Sequence, residues 1–313
     1  MEVATNQGDS SSAHPPLATE IKEAVPPADG YSLWFLGQNS FILKSPDGMV
    51  IAVDPYLSDY CATRGKGMLP TPKSRLFPPP LLPAELDCGV VLLTHSHCDH
   101  ADPETLSVLA AKANTNLVAP RDAAKVALDA GFPPERVRII HAGESFDLVR
   151  GGTRVAASFA LPTDGSDLNH VGYVLVFPNG SSFWNTGDTA WHETLPMLAT
   201  AVFKGMLPEG KTGPDLMAVC INTGYGNLSH WDAARLAGAA KALYAIPAHW
   251  DLFPHNSCDP FPFKTSLEKN APGSVYSPLE HGKRYDFSGG KISLAPGRGL
   301  ALDQGLDCPA RSD

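Results

Sequence analysis

The sequence lacks the features that mark membrane proteins and disulfide-rich exported proteins. No run of apolar residues approaches the roughly 20 that a membrane-spanning helix needs, and no basic start precedes a short apolar stretch. The six cysteines are scattered without a Cys-x-x-Cys pair, which fits neither a disulfide framework nor a cysteine-rich zinc site. We therefore expect a protein of the reducing cytoplasm with no membrane partner.

An excess of basic residues is also missing. The chain has 24 lysines and arginines against 33 acidic residues, which gives a formal net charge of -9. Proteins that follow the phosphates of nucleic acids usually present a basic face, so a nucleic-acid partner is disfavoured. The expected partner is a small-molecule substrate, and the sequence leaves homo-oligomerisation open.

The domain organisation follows from length and local composition. A chain of 313 residues, 43% of them hydrophobic, can bury one substantial core. Residues 1–29 are rich in small, polar, proline and acidic residues, and such a composition buries too little apolar surface to offset the entropy lost on ordering. We predict a flexible N-terminal arm at residues 1–29, a single domain at residues 30–295 and a loose C-terminal tail at residues 296–313.

Short apolar runs separated by turn residues predict the strands of this domain, beginning near Leu33. From Val90 onward strands alternate with helices, which is typical of α/β architecture. One helix is predicted to begin at Pro103, and another follows Ser229, whose hydroxyl can cap it. Because the second half repeats the order of the first, we predict a four-layer sandwich with helices outside two sheets.

The most informative segment follows a buried strand and reads Thr94-His95-Ser96-His97-Cys98-Asp99-His100. Three imidazoles and a carboxylate within six residues are too concentrated to be core filler. Imidazole nitrogen suits borderline cations such as Zn²⁺, and a carboxylate adds negative charge that favours a second divalent ion. We interpret this loop as the start of a metal site and Cys98 as a spacer within it.

Two further candidate ligands each follow a predicted strand. Asp188 comes after Gly187, which permits the tight backbone that delivers a side chain into a cleft, and His249 comes after Pro247. A single Gly-Asp is usually a turn and a single histidine usually packs. Together with the histidine-rich loop, however, the two residues complete a pattern for two metal ions.

The order His-x-His-x-Asp-His, Thr-Gly-Asp and Pro-x-His resembles the metallo-β-lactamase superfamily. The segments at residues 34–41, 53–56, 76–80 and 94–100 resemble its L-ascorbate 6-phosphate lactonase branch. The resemblance implies an αβ/βα sandwich with its site at the strand ends. It also implies a role for each ligand. The first metal would bind His95 and His97, the second would bind Asp99, His100 and His249, Asp188 would bridge them, and Asp54 would orient the ligands from behind.

One departure from the family pattern affects the first metal. Many members place another histidine just after the strand that here ends in Ala160-Leu161-Pro162-Thr163-Asp164, and this chain has none there. His170 or Asp164 could replace it, and His170 is slightly favoured because imidazole suits zinc. If neither binds, a single-metal enzyme using Mn²⁺ becomes plausible. We therefore expect one or two divalent ions, with Zn²⁺ preferred and Mn²⁺ as the alternative.

These residues predict hydrolysis. A metal-bound water has its pKa lowered to about 7 and supplies hydroxide at neutral pH. Asp188 would hold both ions at one spacing, and Asp99 would pass a proton to the leaving group. The family resemblance favours a lactone or related ester of a small polar substrate, with or without a phosphate. A phosphodiesterase and a non-catalytic metal-binding sensor or scaffold are the alternatives.

The substrate-binding residues are predicted from their positions along the chain. A proline-rich loop at residues 55–83 lies between two strands and carries several cations, and the segments after two later strands lie at the same rim. The candidates are Arg64, Lys66, Tyr225, Asn227 and Trp250.

Overall fold

The computed structural model describes residues 16–63, 74–148 and 152–295. The strands in these ranges form two sheets, and we number them along the chain. The first sheet contains β1 (Tyr31–Phe35), β2 (Phe41–Lys44), β3 (Val50–Val53), β4 (Val90–Leu92), β5 (Asn116–Ala119), β6 (Val137–Ile139), β14 (Arg284–Ser288) and β15 (Lys291–Leu294). The second sheet contains β7 (Ser145–Asp147), β8 (Arg154–Phe159), β9 (Val171–Val176), β10 (Ser182–Asn185), β11 (Leu216–Cys220), β12 (Tyr244–Ala248) and β13 (Val275–Tyr276).

Both sheets mix antiparallel and parallel pairs. The order is β15-β14-β1-β2-β3-β4-β5-β6 in the first and β13-β12-β11-β10-β9-β8-β7 in the second. Strands β3 to β6 run parallel to one another, as do β10 to β13. The carboxyl ends of parallel strands meet at one edge of a sheet, so the segments that follow these strands are brought together there.

Helices cover the outer faces of both sheets, and apolar side chains such as Phe41 and Tyr173 fill the space between the sheets. The helices are α1 (Leu17–Glu23), α2 (Tyr60–Thr63), α3 (Pro103–Ala110), α4 (Arg121–Asp129), α5 (Leu195–Thr200), α6 (Phe203–Met206), α7 (His230–Ala240) and α8 (Phe261–Asn270). In the described ranges, no helix combines the length and apolar character needed to cross a membrane. The predicted four-layer sandwich is confirmed.

Local sequence signals placed several elements correctly. Every residue of β1 is buried, including the polar Ser32, as expected for a strand covered on both faces. Helix α3 begins at Pro103 as predicted. The hydroxyl of Ser229 accepts a hydrogen bond from the Asp232 amide, so the predicted cap of α7 is also confirmed.

Part of the segment predicted to be a flexible arm, residues 1–29, forms helix α1 instead. Helix α1 buries Leu17 and Ile21 against the outer face of the first sheet, each about 3% exposed. The Trp34 indole donates a hydrogen bond to Glu20 over 3.2 Å. Composition misled here because two well-placed apolar residues suffice to dock a short helix. Residues 1–15 and the tail at 296–313 lie outside the described ranges, so those boundaries stay predictions.

Candidate metal centre

The candidate ligands lie at the edge where the parallel strands end. The segment at residues 94–100, which we call the histidine loop, follows β4. Asp188 follows β10 through Gly187, whose φ of 61° is positive, as the sequence required. His249 follows β12 directly. Three distant parts of the sequence therefore meet because each leaves its strand at the same end.

The first cluster consists of His95, His97 and His170, which each offer one nitrogen within 4.8 Å of the others. His95 Nε2 lies 3.0 Å from His97 Nδ1, and the rings of His95 and His170 stack with centroids 4.1 Å apart. Burial lowers the pKa of His95 well below its usual value, and it also lowers the pKa of His170. These two imidazoles therefore remain neutral, the form that binds a metal.

Asp164, the other candidate for the first metal, lies at the rim. Its side chain is 54% exposed, and its Oδ2 is 3.6 Å from His97 Nε2. Its Oδ1 accepts hydrogen bonds from the amide and hydroxyl of Ser166. His170 thus lies within metal-binding distance of His95 and His97, whereas Asp164 lies at the rim outside that group.

The second cluster consists of Asp99, His100 and His249, with Asp188 beside it. His249 Nε2 lies 3.1 Å from His100 Nε2, 3.4 Å from Asp99 Oδ2 and 3.3 Å from Asp188 Oδ2. Asp188 also falls within metal-binding reach of both His95 and His100. This position between the clusters is the one in which a carboxylate can bridge two ions.

Charges in the second cluster are strongly coupled. Burial alone would lower the pKa of His100, but Asp188, Asp99 and Asp54 raise it to about 10. Burial alone would raise the pKa of Asp99, but His100 and His249 hold that pKa well below its usual value. A divalent cation can displace the proton of His100 and be bound by the two ionised carboxylates, Asp99 and Asp188.

The donor set fits divalent metals. Three buried atoms of the candidate ligands have no hydrogen-bond partner among the described residues: His170 Nε2, Asp188 Oδ1 and His249 Nδ1. Buried polar atoms without partners are rare in proteins, and all three of these atoms belong to side chains of the candidate metal groups. Neutral imidazoles with carboxylates are the mixture that zinc and manganese accept.

Asp54 lies behind His100, where the resemblance places it. Its carboxylate accepts hydrogen bonds from the Thr94 amide over 2.7 Å and the Thr94 hydroxyl over 2.6 Å, and it lies 2.7 Å from His100 Nδ1. Asn39 donates a further bond to it over 2.7 Å. Asp54 therefore fixes both the start of the histidine loop and the orientation of His100.

The predicted substrate-binding residues have different surroundings. Asn227 is occupied, because its amide donates to Asp188 Oδ2 over 2.7 Å and its oxygen accepts from the Thr189 amide. It positions Asp188 rather than facing a substrate. Tyr225 lies half-buried in a short turn after β11, and Trp250 packs against the apolar cluster outside the second sheet. Arg64 and Lys66 lie outside the described residues.

Cys98 turns towards a second cysteine, since its sulfur lies 2.6 Å from that of Cys61. The two thiols and Asp99 form another group within metal-binding distance, although the histidines of the loop do not belong to it. Cys98 was interpreted from the sequence as a spacer. The pairing was not predicted, because Cys61 lies in a different part of the chain.

Sequence reasoning also missed Gln38 as a site residue. Gln38 lies in the stretch of residues 34–41, and it is fully buried with its Nε2 2.7 Å from Asp99 Oδ2. Gln38, Asp54 and His249 are three of the four described residues other than glycine that have a positive φ. Such backbone is costly and clusters at functional sites. A glutamine in a tight turn, where Asn, Asp or Gly is usual, was the available signal.

Comparisons with known proteins agree with this geometry. A family model described as a beta-lactamase superfamily domain matches residues 50–250. A UPF0173 metal-dependent hydrolase from Cupriavidus taiwanensis is 27% identical over 294 residues, which cover 87% of this chain and 93% of the relative. UPF0173 metal-dependent hydrolases from Anaeromyxobacter and Myxococcus xanthus are also similar.

Solved structures show the same fold at low sequence identity. A metallo hydrolase from the archaeon Ignicoccus hospitalis is 18% identical with a TM-score of 0.60, and covers 82% of this chain and 99% of its own. An isothiocyanate hydrolase from Delia radicum gut bacteria is 16% identical with a TM-score of 0.63 and the same coverage of both chains. Because the family model spans more than half of the sequence, the chain belongs to the metallo-β-lactamase superfamily.

Proposed function

We propose that the protein is a hydrolase that depends on two divalent metal ions. The observation that carries the proposal is the meeting of two ligand clusters on one carboxylate, Asp188. Divalent ions bound there would supply Lewis acidity and lower the pKa of a water molecule. Similarity to curated metal-dependent hydrolases over 87% of the chain supports the same function.

Three residues of the protein would have separate roles in hydrolysis. Asn227 fixes one oxygen of Asp188, so this carboxylate is held at one position between the clusters. Asp99 stays ionised and is 13% exposed, so it can accept a proton and return it to the leaving group. Asp54 keeps His100 in one orientation throughout.

The proposed substrate is a lactone or related ester of a small polar molecule, as the resemblance to the ascorbate phosphate lactonase branch implies. An uncharged ester would also avoid repulsion from Asp164, the carboxylate at the rim. Arg75, a cation of the proline-rich loop, donates instead to the backbone oxygens of Tyr56 and Phe77. Recognition of a phosphate would depend on Arg64 and Lys66.

A phosphodiesterase is the second candidate. Two adjacent metal positions joined by a carboxylate suit the in-line displacement at phosphorus as well as attack on an ester carbonyl. A non-catalytic metal-binding protein is the alternative from another functional class, and it would bind the same ions without turnover.

The test combines metal content with hydrolysis. The purified full chain is analysed for bound metal and assayed on a γ-lactone, an aryl ester, bis(p-nitrophenyl) phosphate and, because a structural neighbour is named for it, an isothiocyanate. We expect two equivalents of metal and ester or lactone hydrolysis that is lost on chelation and regained with Zn²⁺ or Mn²⁺. Turnover of the phosphodiester alone would favour the second candidate, and bound metal without turnover would favour the sensor.

Matched variants assign the activity to the site. Asp99→Asn should lower hydrolysis by about 100-fold or more, the scale typical of losing a proton-transfer group. Asp129→Asn, which removes an exposed carboxylate on α4, should leave hydrolysis unchanged. Equal activity in both variants would place the chemistry elsewhere.

A further inference from the structure

The backbone of Gln38 is held in a strained conformation at the edge of the second cluster. It lies in the turn between β1 and β2 with a φ of 56°. Its amide donates to Asp251 Oδ1 over 2.8 Å, and its carbonyl oxygen accepts from the His249 amide over 2.6 Å. A strained position persists only when its surroundings enforce it, so the backbone of Gln38 is held beside His249.

The side-chain amide of Gln38 lies among the second-cluster ligands. Its Nε2 is 2.7 Å from Asp99 Oδ2 and 3.0 Å from His249 Nε2, the atoms that are 3.4 Å from each other. The NH₂ group of Gln38 thus lies between a carboxylate and an imidazole, where a cation bound by both would lie. Its Oε1 is buried and has no hydrogen-bond partner in the part of the chain that the structure describes.

The two ends of a glutamine amide have nearly the same size and opposite polarity. Rotation about the terminal side-chain torsion, which has broad minima, exchanges them. With oxygen towards Asp99, two partial negative charges would repel unless a cation lay between them. The preferred orientation of Gln38 therefore depends on whether the second metal is bound.

We propose, on the basis of the metal site inferred above, that Gln38 is a ligand of the second metal through Oε1. Without metal, its NH₂ group takes the place between Asp99 and His249; with metal, the amide is reversed. An amide oxygen is a hard ligand of the kind preferred by Mn²⁺ and Mg²⁺. Gln38 would thus shift the second position towards Mn²⁺ relative to a site made only of Asp and His.

The test is a calorimetric titration of metal-free protein with Mn²⁺ and, separately, Zn²⁺. Gln38→Glu has the same shape and adds a charged oxygen, so we expect it to bind the second equivalent of Mn²⁺ at least tenfold more tightly. Gln38→Ala should weaken that equivalent by about 10- to 100-fold, the range seen when a supporting group is lost. The first equivalent should change little in either variant.

The opposite sign would overturn the inference. If Gln38 acts only as a donor to Asp99, Gln38→Ala removes a group that competes with the metal for Asp99, and the second equivalent binds as tightly as in the wild type or more tightly. Asn256→Ala is the control, since it removes a buried amide that bonds to Asn222. Binding changes that match this control would also overturn the inference, and Gln38→Glu retains the side-chain volume if Gln38→Ala fails to fold.

A second readout is measured on the wild-type protein. The ¹⁵N signal of the Gln38 side-chain amide, assigned by its loss in Gln38→Glu, should shift with the second equivalent of Zn²⁺ and not with the first. An amide signal that stays unchanged through both equivalents would exclude metal binding by Gln38. If the wild-type protein bound no metal, the proposed function would fail with it, whereas two equivalents without an effect of Gln38 would sink only this inference.

Discussion

At the scale of single residues, the candidate metal centre depends on residues whose backbone conformation would be unfavourable elsewhere. Asp54, with a φ of 43°, and His249, with a φ of 59°, both directly follow buried strands. A non-glycine residue in the left-handed region costs about 1–3 kcal/mol, and neighbouring hydrogen bonds must offset that cost. At Asp54 the cost is offset by hydrogen bonds between its carboxylate and Thr94, His100 and Asn39.

Removal of that carboxylate should therefore affect both folding and metal binding. We expect Asp54→Ala to lower the free energy of unfolding by about 3 kcal/mol, since it leaves buried donors without a partner. Metal affinity should fall about 10- to 100-fold because His100 loses its orientation. Urea unfolding and metal titration measure the two effects. Asp147→Ala, at an exposed carboxylate, is the control, and a change no larger than in that control would contradict this role.

The third ligand of the first metal can be assigned by comparing two variants. His170→Ala should weaken the first equivalent of Zn²⁺ by more than tenfold, because it removes one of three facing nitrogens. Asp164→Ala should change it by less than threefold, since this carboxylate lies at the rim. Calorimetric titration decides between them, and the reverse ranking would return Asp164 to the ligand set.

At the scale of elements, short connections after parallel strands set the geometry of the site. Gly187 must have a positive φ to turn the chain from β10 to Asp188. A Cβ atom there would lie 2.6 Å from the Val171 oxygen and 3.0 Å from the Thr94 Cβ. The close approach joins the end of β10 to the histidine loop, so the two clusters are built as one unit.

Gly187→Ala should accordingly be costly. The unfavourable φ together with the steric overlap predicts a loss of about 3 kcal/mol or more in the free energy of unfolding. It should also weaken metal binding, because Asp188 moves with its backbone. Gly273→Ala is the matched control, since no atom lies within 4 Å of its added Cβ. Thermal unfolding and metal titration of both variants provide the comparison, in which similar melting temperatures would refute the prediction.

At the scale of the whole molecule, the N-terminal helix completes the outer layer of the first sheet. Lys44, on β2, donates to the backbone oxygens of Ile21 and Lys22, at the carboxyl end of α1. These bonds satisfy carbonyl groups that a helix end leaves open, while Leu17 and Ile21 cover the sheet. The helix is therefore part of the domain rather than an appendage to it.

Ile21→Ala tests this docking. Loss of a buried isoleucine side chain should lower the free energy of unfolding by about 2–4 kcal/mol. Val25→Ala removes an apolar side chain that is 81% exposed, and it should have little effect. Chemical denaturation of the two variants measures the difference. Equal stabilities would mean that α1 contributes nothing to the domain in solution.

Much of the fold could be predicted because its signals are local. Apolar runs such as the one ending in β4 identify buried strands, and Ser229 marks a helix start through a contact three residues away. The candidate ligand types were equally visible, because the histidine loop concentrates four of them in six residues. The sequence by itself thus determined the superfamily, the layered architecture and the residue types of the candidate metal centre.

The tertiary structure decided what depends on distance between remote segments. It brought His170 into the first cluster and left Asp164 at the rim, although both follow the same strand. It also placed Gln38 beside Asp99, and Asn227 against Asp188. No local pattern encodes these contacts, because each depends on how two sheets pack and where their strands end. The sequence specifies the chemistry of each side chain, but the contacts of each side chain are set only when the two sheets pack together.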